Sequence, residues 1–192
     1  FDYSGHGESS GVFTDGCIGD WAEDTIAAVT ALTDGPIIPV GSSMGGWQAL
    51  LLSRAMPDAI AGLVTIAAAP DFTEDGYWAS FTDAQKRMLM DDGQVELPSD
   101  YMEPYVITRR MIEDGRKQLV LHDTLALPFP TRFLQGTADT AVSVATAVRL
   151  LEHAQGPDMQ LQLVKDADHR FSDDRCLSLV SDALTQVIAL AS

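Results

Sequence analysis

Segments with apolar residues three or four positions apart alternate along the chain with short apolar runs. The runs, and one segment whose apolar residues recur at every second position, are typical of β-strands and lie at 37–40, 62–69, 131–136 and 159–165. The helical segments lie at 20–34, 46–56, 143–154 and from 172 onward. This alternation predicts an α/β fold with a mostly parallel sheet and helices on both faces. Such sheets carry their chemistry at the carboxyl ends of the strands.

Two helix starts carry residues that suit capping. Asp20 is a candidate N-cap for the first helix, and Glu23 follows at the spacing of a capping box. Ser172 is a candidate N-cap for the last helix, because two acidic residues follow it in the first turn, where the helix dipole favours anions.

Residues 71–128 interrupt the alternation and predict two or three short helices joined by loops. Long insertions between strands are usually functional, so we expect a helical lid over a core formed by 1–70 and 129–192. The alternative is a helical layer that only covers the sheet. The aromatic residues of the insertion are candidates for lining a substrate pocket: Trp78, Phe81, Tyr101 and Tyr105.

Charge and cysteine content narrow the function classes. The 192 residues include 12 Lys and Arg against 28 Asp and Glu, a net charge of −16, which disfavours nucleic acid and anionic membranes as partners. No apolar run approaches the roughly 18 residues that a membrane span needs, so none is expected. Cys17 and Cys176 are too few for a disulfide framework, and the chain suits either a reducing compartment or indifference to the redox state of its surroundings.

The segment Gly41-Ser42-Ser43-Met44-Gly45 fits the pattern G-x-S-x-G. A chance match is expected in roughly one such chain in ten, so the pattern alone is weak. The position of the segment favours a nucleophile over a chance match, because the segment follows an apolar strand and begins a helix. This is the context of a nucleophilic serine on a sharp turn. We predict Ser43 as the nucleophile, the glycines as sites too crowded for side chains, and the Met44 N–H as a donor to the oxyanion.

A serine nucleophile needs a histidine base, and the chain has four histidines: His6, His122, His153 and His169. His169 follows the last predicted strand and precedes the last helix, which places it at the carboxyl edge of the sheet. His6 lies in a glycine-rich turn and His153 on an amphipathic helix, where structural or solvated roles are more common. We predict His169 as the base.

The histidine in turn needs an acid, and Asp139 follows the strand at 131–136. The order serine, acid, histidine is the one typical of this architecture. Asp166 and Asp168 are alternatives, but they are close in sequence to the histidine and suit loop-shaping roles. Asp123 precedes a strand and would lie at the opposite edge. Asp139 is therefore the predicted acid.

Several segments resemble the α/β-hydrolase superfamily along the whole chain: FDYSGHGES, VGSSMGG, GTADTAVS and DADHRFS. Longer segments are similar to one branch, the serine hydrolases related to the mitochondrial palmitoyl-protein thioesterase that is also called mycophenolic acid acyl-glucuronide esterase: GVFTDGCIGDWAEDTIAAV, LVTIAAAPDFTEDGYW and EPYVITRRMIEDGRKQLVL. The family's nucleophile, acid and base fall on Ser43, Asp139 and His169. Bacterial relatives of unassigned substrate are also similar.

The resemblance implies hydrolysis of esters or thioesters, on small molecules or acylated proteins, without metal or cofactor. It also implies a bacterial cytoplasmic protein, or a mitochondrial matrix protein in a eukaryote. The same triad can serve other chemistry, such as cofactor-free perhydrolysis. In the family, strands and a second oxyanion donor precede the FDYSGHG turn, so we expect a chain truncated at its N-terminus. Such a fragment would expose a bare strand edge at 37–40 and could be inactive or serve only as a binding module.

Overall fold

The structure is a computed structural model of the chain that describes residues 1–98 and 104–191. Its α-helices are α1 (Ile18–Leu32), α2 (Met44–Ala55), α3 (Asp83–Asp92), α4 (Arg109–Gly115), α5 (Val144–His153) and α6 (Asp174–Ala191). Its strands are β1 (Val40–Ser42), β2 (Leu63–Ile66), β3 (Gln94–Leu97), β4 (Tyr105–Thr108), β5 (Thr131–Gly136) and β6 (Met159–Val164). A π-helical segment covers Phe72–Trp78.

The chain divides into two compact units. The sheet unit consists of Val29–Pro70 and Val120–Ser192, and the helical unit consists of Phe1–Ala28 and Asp71–Leu119. The predicted division into a core and a lid at 71–128 stays a prediction. No helix in the described part of the chain is long and apolar enough to cross a membrane.

The sheet unit contains four parallel strands in the order β1-β2-β5-β6. Every residue of β2 and β5 is buried, as expected for central strands that are covered on both faces. The outer strands β1 and β6 carry exposed apolar side chains, including Val40 and Leu163. Because parallel strands point the same way, the loops that follow β1, β5 and β6 meet at one edge of the sheet.

Helices pack against the sheet through apolar side chains at helical spacing. Val64 and Ile66 alternate along β2 and join a cluster with Cys176, Ala183 and Val187 of α6. Side chains two apart in a strand share a face, whereas those in a helix recur at three or four positions. The apolar positions of the strand and those of the helix therefore face each other and form one core.

The helical unit has its own core around an antiparallel hairpin, in which β3 pairs with β4. Its buried cluster contains Phe81, Leu89, Val95, Ile107 and Ile112. Helix α3 begins with a capping box, in which Thr82 and Gln85 satisfy each other's backbone N–H groups. The hairpin is a feature that the sequence reading of this region as helices and loops did not predict. Each strand has only four residues, too few to show a period of two clearly.

Both predicted helix caps are wrong. Helix α1 begins at Ile18, two residues before Asp20, and the Asp114 carboxylate accepts the Gly19 N–H at 2.6 Å. Helix α6 begins at Asp174, and Asp173 rather than Ser172 accepts the Cys176 N–H, at 2.7 Å. The α1 cap comes from a residue far away in sequence, which local spacing cannot reveal.

Candidate active site

Ser43 occupies the sharp turn between β1 and α2. Its backbone has φ 54° and ψ −120°, a left-handed φ that is unusual for a residue with a side chain. Neighbouring backbone holds it in place, because its N–H donates to Ile66 O at 2.9 Å and its C=O accepts the Ala69 N–H at 3.0 Å. Strain of this kind costs about 1–3 kcal/mol and persists only where the surroundings impose it.

Two glycines make the turn possible. A Cβ on Gly41 would collide with the carbonyl oxygen of Gly45, and one on Gly46 would lie 2.7 Å from the Cβ of Ala68. The first contact fits the crowding expected at Gly41. Gly46 lies just outside the five-residue pattern, and the sequence analysis missed it. The sequence signal that could have predicted this crowding is the pair of adjacent glycines, Gly45 and Gly46, at the start of α2.

His169 lies in the loop after β6, and its ring nitrogens face two different partners. Its Nε2 is 3.1 Å from Ser43 Oγ, and its Nδ1 is 2.9 Å from Asp139 Oδ2. The loop is tightly shaped, because Asp166 and Phe171 both have positive φ and Asp168 Oδ1 accepts the Phe171 N–H. Asp168, an alternative acid in the sequence, therefore shapes the loop that presents the histidine.

The side chain of Asp139 is fully buried and accepts hydrogen bonds on both oxygens. Oδ1 accepts the N–H groups of Ala141 and Val142, both at 2.8 Å, while Oδ2 faces His169 and the side-chain amide of Gln135. Burial raises the pKa of this carboxyl, but the donors, Val142 and His169 first, outweigh burial and hold the pKa below its usual value. The group is therefore a carboxylate at neutral pH.

The loops that carry the acid and the histidine are bonded to each other. Ala138 N–H donates to Ala167 O at 3.0 Å, and Asp166 N–H donates to Thr137 Oγ1 at 2.9 Å. A Cβ on Gly136 would collide with the Ala167 carbonyl, so the two loops approach closely. This cross-bonding extends the pairing of β5 with β6 and sets the distance between the carboxylate and the imidazole.

Two other histidines have partners elsewhere. The His153 Nε2 lies 2.6 Å from the Asp123 carbonyl, and His6 packs edge-on against Trp21 with its Nδ1 near Ser4 O. Met44 is the first residue of α2, and the first-turn N–H groups of a helix have no acceptor within that helix. The Met44 N–H thus meets the first requirement of the predicted oxyanion donor.

The predicted pocket aromatics belong to the helical unit. Phe81 is buried in that unit's core. Two cationic groups lie over the ring of Trp78, that of Arg116 at 4.5 Å from the ring centroid and that of Lys86 at 5.3 Å. Tyr105 is 49% exposed on β4, and Tyr101 lies outside the described residues. Their role in a pocket stays a prediction.

Comparisons with known proteins show which family and which proteins this chain is similar to. A family model described as "Alpha/beta hydrolase family" matches residues 1–184. The mitochondrial palmitoyl-protein thioesterase ABHD10 of Rattus norvegicus is 30% identical over 190 residues, which are 98% of this chain and 64% of that protein. The Homo sapiens protein of the same name is 30% identical over 98% of this chain and 62% of its own length. The chain thus spans slightly less than two thirds of these curated relatives.

Solved structures agree with the sequence comparison. A structure from Agrobacterium vitis S4 is 38% identical, with a TM-score of 0.94 over 98% of this chain and 75% of that one. Mouse alpha/beta hydrolase domain-containing protein 10 is 30% identical, with a TM-score of 0.90 over 100% of this chain and 77% of that one.

Proposed function

The chain belongs to the alpha/beta hydrolase family, and from that premise we propose that it is a serine hydrolase that cleaves carboxylic esters or thioesters. The family match and the structural likeness confirm the α/β-hydrolase fold predicted from the sequence. The observation that carries the proposed activity is the chain of hydrogen-bond distances from Ser43 Oγ through His169 to Asp139.

The proposed reaction begins with nucleophilic attack by Ser43. As Oγ attacks the acyl carbonyl carbon, the Oγ proton passes to His169 Nε2, 3.1 Å away. Asp139 accepts the Nδ1–H and stabilises the imidazolium that forms. The Met44 N–H stabilises the negative charge on the former carbonyl oxygen, a contribution of about 3 kcal/mol for one such donor.

The tetrahedral intermediate then collapses to an acyl-enzyme. His169 gives its proton to the departing alcohol or thiol, the C–O or C–S bond breaks, and the acyl group remains on Ser43. Water attacks the acyl-enzyme with the same histidine as base, releasing the carboxylic acid and restoring the serine.

The relatives support an acyl thioester as one substrate class. Their name describes removal of a palmitoyl group from proteins, and for this chain we propose small-molecule or acylated-protein esters and thioesters. Those relatives are mitochondrial. We therefore propose the mitochondrial matrix as the location if this chain comes from a eukaryote, and the cytoplasm if it comes from a bacterium.

Adjacent serines provide a matched pair of variants that tests the nucleophile. Ser43 has the positive φ and the histidine partner, whereas Ser42 is an exposed residue at the end of β1. We expect Ser43→Ala to abolish covalent labelling by a fluorophosphonate and hydrolysis of p-nitrophenyl esters, while Ser42→Ala retains both. Labelling that survives Ser43→Ala with intact folding, measured by circular dichroism, would rule out Ser43 as the nucleophile.

A further inference from the structure

Gln135 is a polar residue near the carboxyl end of the central strand β5, and it is fully buried. Its side-chain nitrogen lies 2.9 Å from Asp139 Oδ2, 3.0 Å from Val142 O and 3.2 Å from Gly136 O. A buried amide costs free energy unless it is hydrogen-bonded, so this residue is placed where its donors are used.

The chemistry of the three neighbours determines which way the amide points. All three are acceptors: one carboxylate oxygen and two backbone carbonyl oxygens. A flipped amide would direct its own oxygen at these acceptors, including the charged one, so the NH₂ group must face Asp139. The opposite atom, Oε1, has no hydrogen-bond partner within the described residues. The side chain therefore loses one hydrogen bond in order to present both of its donors to the acid loop.

We propose that Gln135 is a positioning residue for the triad, acting through Asp139; the inference rests on the proposed serine hydrolase function. Oδ2 of Asp139 accepts from both His169 and Gln135, while Oδ1 accepts two backbone N–H groups. With these four donors the acceptor sites of the carboxylate are filled, and it cannot rotate without breaking a bond. Gln135 thus aims Oδ2 at the imidazole and keeps the carboxylate from turning away.

Gln135→Met tests the proposal, because methionine has nearly the same length and shape but no N–H donor. We expect kcat for p-nitrophenyl butyrate to fall about tenfold or more, with KM changed less than about twofold, as for loss of a hydrogen bond to a charged group. The midpoint of thermal unfolding should fall as well, because Asp139 Oδ2 and the carbonyl oxygens of Gly136 and Val142 lose a donor.

Gln48→Met is the matched control. Gln48 is a second glutamine of the sheet unit, 1% exposed on α2, and has no place in the proposed chemistry. We expect its kcat to stay within about twofold of the wild-type value, because Gln48 donates to none of the groups that hold or move a proton in the proposed reaction. An equal loss of kcat in both methionine variants would overturn the specific role of Gln135.

A double-mutant cycle separates positioning from a general structural role. In the Asp139→Ala background, Gln135→Met should cause little further loss of kcat, because the residue acts only through that carboxylate. A loss by the same factor in both backgrounds overturns the proposal. If Ser43→Ala and Asp139→Ala themselves leave kcat unchanged, the proposed function fails; if they lower it and Gln135→Met does not, only the positioning role fails.

Gln135→Glu provides an independent readout if the methionine variant does not fold. Its carboxyl can donate to Asp139 Oδ2 when protonated but repels that oxygen when ionised. Burial and the neighbouring Asp139 carboxylate raise the pKa of a carboxyl at position 135 above the usual ~4.3, so the kcat/KM of this variant relative to wild type should fall as pH rises from about 5 to about 9. A ratio that does not change with pH overturns the proposal.

Discussion

Four donors surround one buried carboxylate at Asp139. Its two oxygens accept from Ala141, Val142, Gln135 and His169, so the ionised form is stabilised despite complete burial. An isolated buried carboxylate would instead take up a proton, because a charge in an apolar interior is costly. The lowered pKa of Asp139 thus follows from hydrogen bonds that outweigh burial, and it keeps the proposed acid charged while the enzyme works.

The lowered pKa of Asp139 makes a prediction about stability and pH. The folded pKa lies below the ~3.9 of an unfolded aspartate, so the ionised carboxylate stabilises the fold above that pH and the contribution is lost as pH falls through the folded pKa. Asp139→Asn should therefore show a smaller loss of unfolding free energy than wild type between about pH 5 and about pH 2.5. Urea denaturation at a series of pH values measures this difference. Parallel curves for the two proteins would contradict it.

At the level of elements, the junction of β1 and α2 depends on the neighbouring strand β2. Ser43 bonds to the backbone of Ile66 and Ala69, and Ala67 between them also has a positive φ of 46°. Ala67 N–H donates to Leu134 O of β5 at 2.8 Å, which ties the strained segment to the central strand. The strain at the proposed nucleophile is therefore supported by the sheet rather than by the turn alone.

A glycine substitution tests this packing. Gly46→Ala should lower the unfolding free energy by about 1–3 kcal/mol, as overpacking does, because its Cβ would lie 2.7 Å from that of Ala68. The rate of ester hydrolysis should also fall, because a backbone shift that relieves the close contact with Ala68 would move Ser43. Gly76→Ala is the control, because its nearest atom is Phe72 Cβ at 3.7 Å, an ordinary contact, and its cost should stay within about 1 kcal/mol. If urea denaturation shows equal losses of unfolding free energy for the two variants, the turn between β1 and α2 is not too crowded for a side chain at Gly46.

At the scale of the whole molecule, acidic residues dominate. The net charge of −16 comes from 28 acidic and 12 basic residues among 192. A field of this sign slows the approach of anionic substrates and is weakened by salt, whose screening length falls to about 8 Å at physiological ionic strength. For the proposed thioester substrates, we therefore expect the charge of the acyl carrier to matter: a polyphosphate carrier such as coenzyme A should be repelled, whereas a neutral ester should not.

Salt dependence tests this effect. Raising NaCl from about 20 mM to about 200 mM should increase kcat/KM for an acyl-CoA severalfold and leave that for a neutral p-nitrophenyl ester of the same acyl length nearly unchanged. Comparing substrates of equal acyl length removes the effect of salt on the acyl pocket. A decrease for acyl-CoA would instead point to a local basic binding site for the phosphates.

Much of the sheet unit could be predicted from local patterns. The strands near 62–69, 131–136 and 159–165 and the helices predicted at 46–56, 143–154 and from 172 onward appear close to their predicted places, because burial imposes a regular period on the sequence. The chain order of Ser43, Asp139 and His169 predicted that they would meet, and the structure brings them within hydrogen-bond distance. Gly46 escaped notice because its role depends on Ala68, which lies more than twenty positions away.

By itself, the sequence determined the fold class, the approximate places of the central strands and the chain order of the three residues that follow them, since the hydrophobic period and the turn residues can be read from the sequence alone. Only the tertiary structure showed that Gln135 donates to the same carboxylate oxygen as His169, and that Asp114 caps α1. The sequence around a buried polar residue such as Gln135 does not show which group will accept its hydrogen bonds. Which atoms lie within hydrogen-bond distance depends on how separate segments pack, and that is decided when the chain folds.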